Sequence, residues 1–183
     1  MHDESATDPA AVVDFWQEAG PSRWFAKDEA FDRRFRARFL VLHEAAARGA
    51  LAAWSDTPTG ALALVLLLDQ FPRNSFRGTP RMYATDPLAR RVASDAVDAC
   101  HDLAVLPALR LFFYLPFGHS EDPVDQARSV TLCERLGGQD AKHARRHHDI
   151  VARFGRFPHR NEILGRASSP EEALFLQQPG SRF

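Results

Sequence analysis

The sequence predicts an all-α protein made of antiparallel helical hairpins, about eight helices in all. Three observations carry that prediction. Short polar residues precede proline at Asp8-Pro9, Thr57-Pro58, Thr79-Pro80, Asp86-Pro87, Asp122-Pro123 and Ser169-Pro170. Such a side chain accepts from the free N–H groups of a first helical turn, and proline next to it has no N–H to waste. Apolar residues also recur every three or four positions, the helical spacing. No strand-like alternation persists between turn signals.

Taken in order, the first element is a stripe of Val12, Phe15, Trp16 and Ala19, stopped by Gly20. Phe31, Phe35, Phe39 and Leu42 form the second, with Gly49 just past its end. Ala61 to Leu68 is apolar on every side, which predicts a central helix, and Pro72 is expected to end it. Leu88, Val92, Ala96 and Cys100 form a further stripe. Val124, Ala127, Thr131 and Leu132 form a less regular one, and Ala144, His147, Val151 and Phe154 run to Gly155. Ser169 to Glu172 has the Ser-x-x-Glu form of a capping box. Short links between helices of this length favour antiparallel neighbours.

The chain has 183 residues, 45% apolar and 26% charged, with a net charge of -1. That balance suits one globular domain over residues 8–183, preceded by a loose tail at 1–7. It offers no bulk attraction for nucleic acid or an acidic membrane, so neither is expected as a partner. No cofactor and no metal is expected. Cys100 and Cys133 lack Cys-x-x-Cys spacing and read as buried free thiols, which suits a cytoplasmic protein. The start, "MHDESATDP", is the reverse of a basic signal peptide, and the longest apolar run is too short to span a bilayer. The expected state is a monomer or weak dimer.

Three segments concentrate polar residues beside aromatics and prolines. "DQFPRNSFR" carries Asp69, Gln70, Arg73 and Asn74. "FFYLPFGHSED" carries His119, Ser120 and Glu121. "HARRHHDIVARFGRFPHRN" carries His147, Asp149, Arg153, Arg156, His159, Arg160 and Asn161. Arginine offers a planar fork for carboxylate or phosphate, and asparagine both donates and accepts. In stacked hairpins alternate turns lie at one end, which would bring the three segments together. The plain reading is structural: Pro72 stops a helix, Ser120 or Asp122 caps the next, and the arginines pair with Asp69, Glu121 and Asp149. His143 and His147 have a spacing that suits a metal, yet no glutamate accompanies them as in zinc proteases.

These phrases, together with "VVDFWQEAGPSRWFAKDEAFD" and "HDIVARFGRFPHRNEILGR", resemble the bacterial domain-of-unknown-function family 924. The resemblance runs from about Val12 to Phe183 and implies an all-helical, tetratricopeptide-like right-handed array. It implies no activity. His143 and His148 depart from the family pattern, which singles out His147 among its neighbours. The first reading is a binding module for a small anionic molecule or a peptide carboxylate. Asp69, Gln70, Arg73, Asn74, Arg153, Arg156, His159, Arg160 and Asn161 would hold the ligand. A second reading is a hydrolase-like enzyme with His147 or His119 as base and Glu121 or Asp149 orienting it. A third is a protein-interaction scaffold, in which the polar motifs are struts and Trp24 or Trp54 is exposed.

Overall fold

The computed structural model describes residues 8–181. The expected loose tail at 1–7 lies outside the described residues. Among those described, all regular structure is helical. The α-helices are α1 (Pro9–Ala19), α2 (Pro21–Trp24), α3 (Glu29–Ala47), α4 (Pro58–Val65), α5 (Phe71–Ser75), α6 (Asp86–Asp98), α7 (Leu111–Gly118), α8 (Pro123–Leu136), α9 (Gly138–Phe154) and α10 (Pro170–Phe175). A π turn, Leu66–Gln70, joins α4 to α5 without a break. With that rod counted once, the described residues hold nine helices, one more than the periodicity predicts. Short α2, four residues that follow Gly20 directly, carries no legible stripe.

The caps form where polar residues precede proline, with two exceptions. Asp8, Thr57, Asp122 and Ser169 each accept a first-turn N–H, and Ser169 with Glu172 closes the capping box. Asp28 does the same for α3 without a proline. At Asp86 the cap position falls on Thr85, and the Asp86 carboxylate is used elsewhere. Thr79-Pro80 opens only a short 3-10 turn.

The chain divides into two compact units. The first comprises residues up to Arg77 and Arg81–Pro116. Its core surrounds the α4 rod, where every residue from Gly60 to Pro72 is buried. Gly60 is required there, because a Cβ would stand 2.0 Å from the Trp54 carbonyl oxygen. Phe31, Phe35 and Phe39 of α3 face the rod and meet Trp16 and Phe15 of α1 ring on ring. α6 presents Ala89, Ala93 and Ala96, not the expected line through Leu88 and Cys100. Alanines let the backbones approach closely, whereas the pattern gave weight to the larger neighbours. Cys100 is exposed with a left-handed backbone, while Cys133 is buried. Trp24 is buried and donates from Nε1 to the Trp16 carbonyl at 2.7 Å, and Trp54 is half-buried.

The second unit comprises Gly78–Pro80 and Phe117–Phe183. Its frame is the α8–α9 hairpin, in which Gly137 alone turns the chain back. Ile150, Val151 and Phe157 form its small core, flanked by Phe154 and Phe175.

Candidate functional site

The first motif belongs to the first unit, and its geometry follows from the π turn. Phe71 donates to the Leu66 carbonyl, an i to i+5 bond, and Pro72 has no N–H. Carbonyls beneath them therefore lose their ordinary partners, which buried oxygens must replace. His43 Nδ1 meets the Leu67 oxygen at 2.8 Å, Thr85 Oγ1 donates to the Leu68 oxygen at 2.5 Å, and Arg73 donates to the Asp69 oxygen at 3.0 Å. The carbonyl fixes the His43 tautomer with its proton on Nδ1. Burial keeps that ring neutral by pulling its pKa down. It stacks on Phe71 at 4.8 Å.

The motif's side chains close on one another. Arg73 forks onto Asp86 at 2.7 and 2.9 Å and lies 3.1 Å from the Asp69 carboxylate. Burial disfavours its charge, but Asp69 and Asp86 outweigh that and raise its pKa. Gln70 donates to Asp69 at 2.7 Å. Asn74 donates to Asp32 at 2.8 Å, and Arg77 forks onto the same carboxylate. Pro72 thus does not end the helix as expected; the rod runs on to Ser75. Asp86, Thr85, Asp32 and His43 complete this network without any sequence mark that ties them to it.

The second and third motifs meet in the second unit. Glu121 accepts the Phe157 N–H at 2.8 Å and holds an Arg166 fork at 2.7 and 2.9 Å. Burial would raise its carboxyl pKa; the Arg166 fork and the Phe157 N–H bring it below the ordinary carboxylate value. Arg166 also donates to Asn161 Oδ1 and to the Phe157 carbonyl, and Asn161 donates to Ser168. Arg156 forks onto Glu172 at 2.6 and 2.8 Å, and Arg153 bonds Glu171 at 2.9 Å. The Arg156 bond draws the Glu172 pKa down to about 2. Asp149 is exposed beside His148 at 3.3 Å. Arg166, which no motif reading marked out, is the hub of this loop. Its only signal was its place at the end of "HRNEILGR".

Between these struts lies a cluster of basic groups. His147 Nδ1 meets the Gly118 carbonyl at 3.2 Å. A Cβ on Gly118 would stand 3.0 Å from Ser129 Oγ, a tight contact, and 3.7 Å from His147 Nδ1, so the ring packs closely on this turn. The Phe157 ring lies 5.6 Å from His147 and 5.7 Å from His159, and the Arg160 guanidinium sits over it at 4.6 Å. Burial, followed by the nearby His119, depresses the His147 pKa to about 3, and Arg160 and His159 add to the effect. Gln126, fully buried, donates to the Gly118 and Ser120 carbonyls at 2.9 and 2.6 Å and fixes the α7–α8 turn beneath. Ser120 bonds Asp125 and the Asp122 N–H, while Asp122 caps α8.

A shallow depression of about 320 Å³, lined by Ala127, Val130, Arg145 and His148, includes none of the candidate residues. Among the described residues no group of three His, Cys, Asp or Glu side chains could hold a metal ion. No helix among them is long and apolar enough to cross a membrane.

Comparison with known proteins bears on the family. No curated protein matches the chain. The solved structure of a protein of unknown function, ATU0120 from Agrobacterium tumefaciens, is similar, with 55% sequence identity and a TM-score of 0.92. That match covers 95% of this chain and 99% of the other. The family model described as bacterial protein of unknown function (DUF924) matches residues 12–180. With a match of that extent, the chain belongs to the DUF924 family of bacterial proteins.

Proposed function

We propose that this protein is a binding module that holds a small anion, a carboxylate or a phosphate, at His119, His159 and Arg160 of the second unit. The observation that carries the reading is the gathering of His147, His159 and Arg160 about Phe157, with His119 near enough to His147 to act on its charge. Burial is the first cause of the neutral His147 ring; His119, Arg160 and His159 add positive potential to it, and that potential favours an anion. Arg160 is buried to 6% exposure, so its charge acts through a medium that screens little. His147 serves as the wall: a ring with a pKa near 3 does not take up a proton near neutrality, which disfavours it as a general base. Glu121 and Asn161 position the loop that carries His159 and Arg160, through Phe157 and Arg166.

Arg73, Arg153 and Arg156 are each bound to carboxylates and act as struts. The test is a titration with inorganic phosphate and with acetate, followed through the histidine ring protons by NMR. Resonances of His119 and His159 should shift and saturate, and Arg160→Gln should abolish the response. A folded wild-type protein whose histidine signals stay still under both anions overturns the proposal.

A further inference from the structure

From an independent set of residues in the first unit, we infer that the solvent face of α3 is a docking surface for an acidic segment of a partner protein. Arg33, Arg34, Arg36 and Arg38 crowd six positions of this helix, and no acid stands between Asp32 and Glu44. All four are exposed. The arrangement works against the helix itself, since Arg33 with Arg36 and Arg34 with Arg38 are like charges at neighbouring positions. Only a distant Glu29 contact, at 3.8 Å, offsets Arg33.

The arginines are also held in place. Arg36 lies over the Phe76 ring at 5.2 Å and bonds the Ser75 carbonyl at 3.1 Å. Arg81 lies over the same ring at 3.9 Å, with Glu44 at 3.7 Å. Arg38 lies over Phe39 at 5.1 Å and Phe15 at 5.7 Å. Stacking engages the guanidinium plane and leaves the N–H edges to fork onto carboxylates. Side chains already held this way lose less freedom on binding. Val41, 77% exposed, follows Arg34 and Arg38 at i+7 and i+3 on the same side of the helix. Arg34, Arg38 and Val41 therefore form one edge that pairs two forks for carboxylates with an apolar contact, while Arg36 lies on the opposite flank, against Phe76. That combination fits an Asp- and Glu-rich peptide carrying an apolar residue. It fits nucleic acid less well, because the rings lie beneath the arginines and are not open to bases, and the whole chain carries a net charge of -1.

The experiment uses the full chain and a fluorescein-labelled peptide rich in Glu and Asp with a single leucine, read by anisotropy. Binding should weaken as salt rises. Arg34→Gln with Arg38→Gln should lower affinity at least tenfold. Arg34→Lys with Arg38→Lys keeps the charge but not the fork, and should still lower it severalfold. Val41→Ser should weaken the peptide but not a leucine-free version, and Arg135→Gln on α8 should change nothing. Circular dichroism identical to wild type is required of each variant. The inference is overturned if no peptide binding is seen. It is overturned equally if the Arg34/Arg38 variants bind as wild type, or if a single-stranded oligonucleotide or an anionic phospholipid vesicle binds more tightly than the peptide.

Discussion

At the scale of single residues, what decides the behaviour of this protein is where each charge finds a partner. His147 is the clearest case. In the unfolded chain its ring takes a proton near pH 6.5, and in the native state only near 3. Between those values the unfolded state holds one more proton, so stability falls as the pH falls through that window. The slope from this one ring approaches about 1.4 kcal/mol per pH unit. His43, also lowered by burial, acts in the same direction. Urea midpoints at pH 7, 5.5 and 4.5 should drop steeply for wild type and less for His147→Gln; parallel curves would refute the assignment. Arg73→Leu tests the opposite kind of site. It leaves the fully buried Asp69 and its neighbour Asp86 without their cation, and should cost about 3–5 kcal/mol of unfolding free energy. Much of this was visible in the sequence as residue types. The motif letters marked Asp69, Arg73, Glu121 and Arg160, but their partners did not stand out. Thr85, Asp86 and Arg166 lie far along the chain, and an arginine in a sequence does not say which carboxylate will meet it.

At the scale of elements, caps and stripes were legible because their physics is local. A polar residue before proline acts on the next three residues, so Asp8, Thr57, Asp122 and Ser169 cap where the sequence says they should. The π turn was not legible, because it depends on His43 and Thr85, which arrive from other helices to take its loose carbonyls. Thr85→Val keeps the shape and removes the donor to Leu68. An orphaned buried carbonyl should cost about 1–3 kcal/mol, measurable by chemical denaturation. An unchanged midpoint would mean that the turn does not need this bond. α3 gives a prediction of opposite sign. Arg34→Gln relieves a like-charge pair with Arg38 and should stabilise by about 0.2–0.5 kcal/mol at low salt, with the gain vanishing at high salt. Loss of stability at low salt would show that Arg34 has a folding role after all.

At the scale of the whole molecule, the chain is close to neutral, with an isoelectric point of about 6.7. Basic residues gather on α3 and about Phe157, so acids elsewhere must balance them. Charge that is balanced in sum and uneven in place favours self-association near the isoelectric point. Light scattering at moderate concentration should pass through a maximum near pH 6.7 and fall on either side, most sharply at low salt. A flat profile would indicate that the local patches are already neutralised. The helical class was readable at this scale from periodicity alone. The division into two units was not, since no linker or change in composition separates Arg77 from Arg81 or Pro116 from Phe117.

The π turn at Leu66–Gln70 has one more consequence, which concerns counting. An i to i+5 turn accommodates one residue more than the α-helix allows, so every side chain beyond it is rotated by about 100° around the rod. Arg73 and Asn74 face their carboxylates because the turn takes up that extra residue. Forcing this same sequence into a regular α-helix would give a better set of backbone bonds and turn Arg73 away from Asp86, so the more ideal helix is here the less stable one. Removing one leucine from Leu66–Leu68 cancels the turn and the extra residue together and leaves Arg73 on its side of the rod.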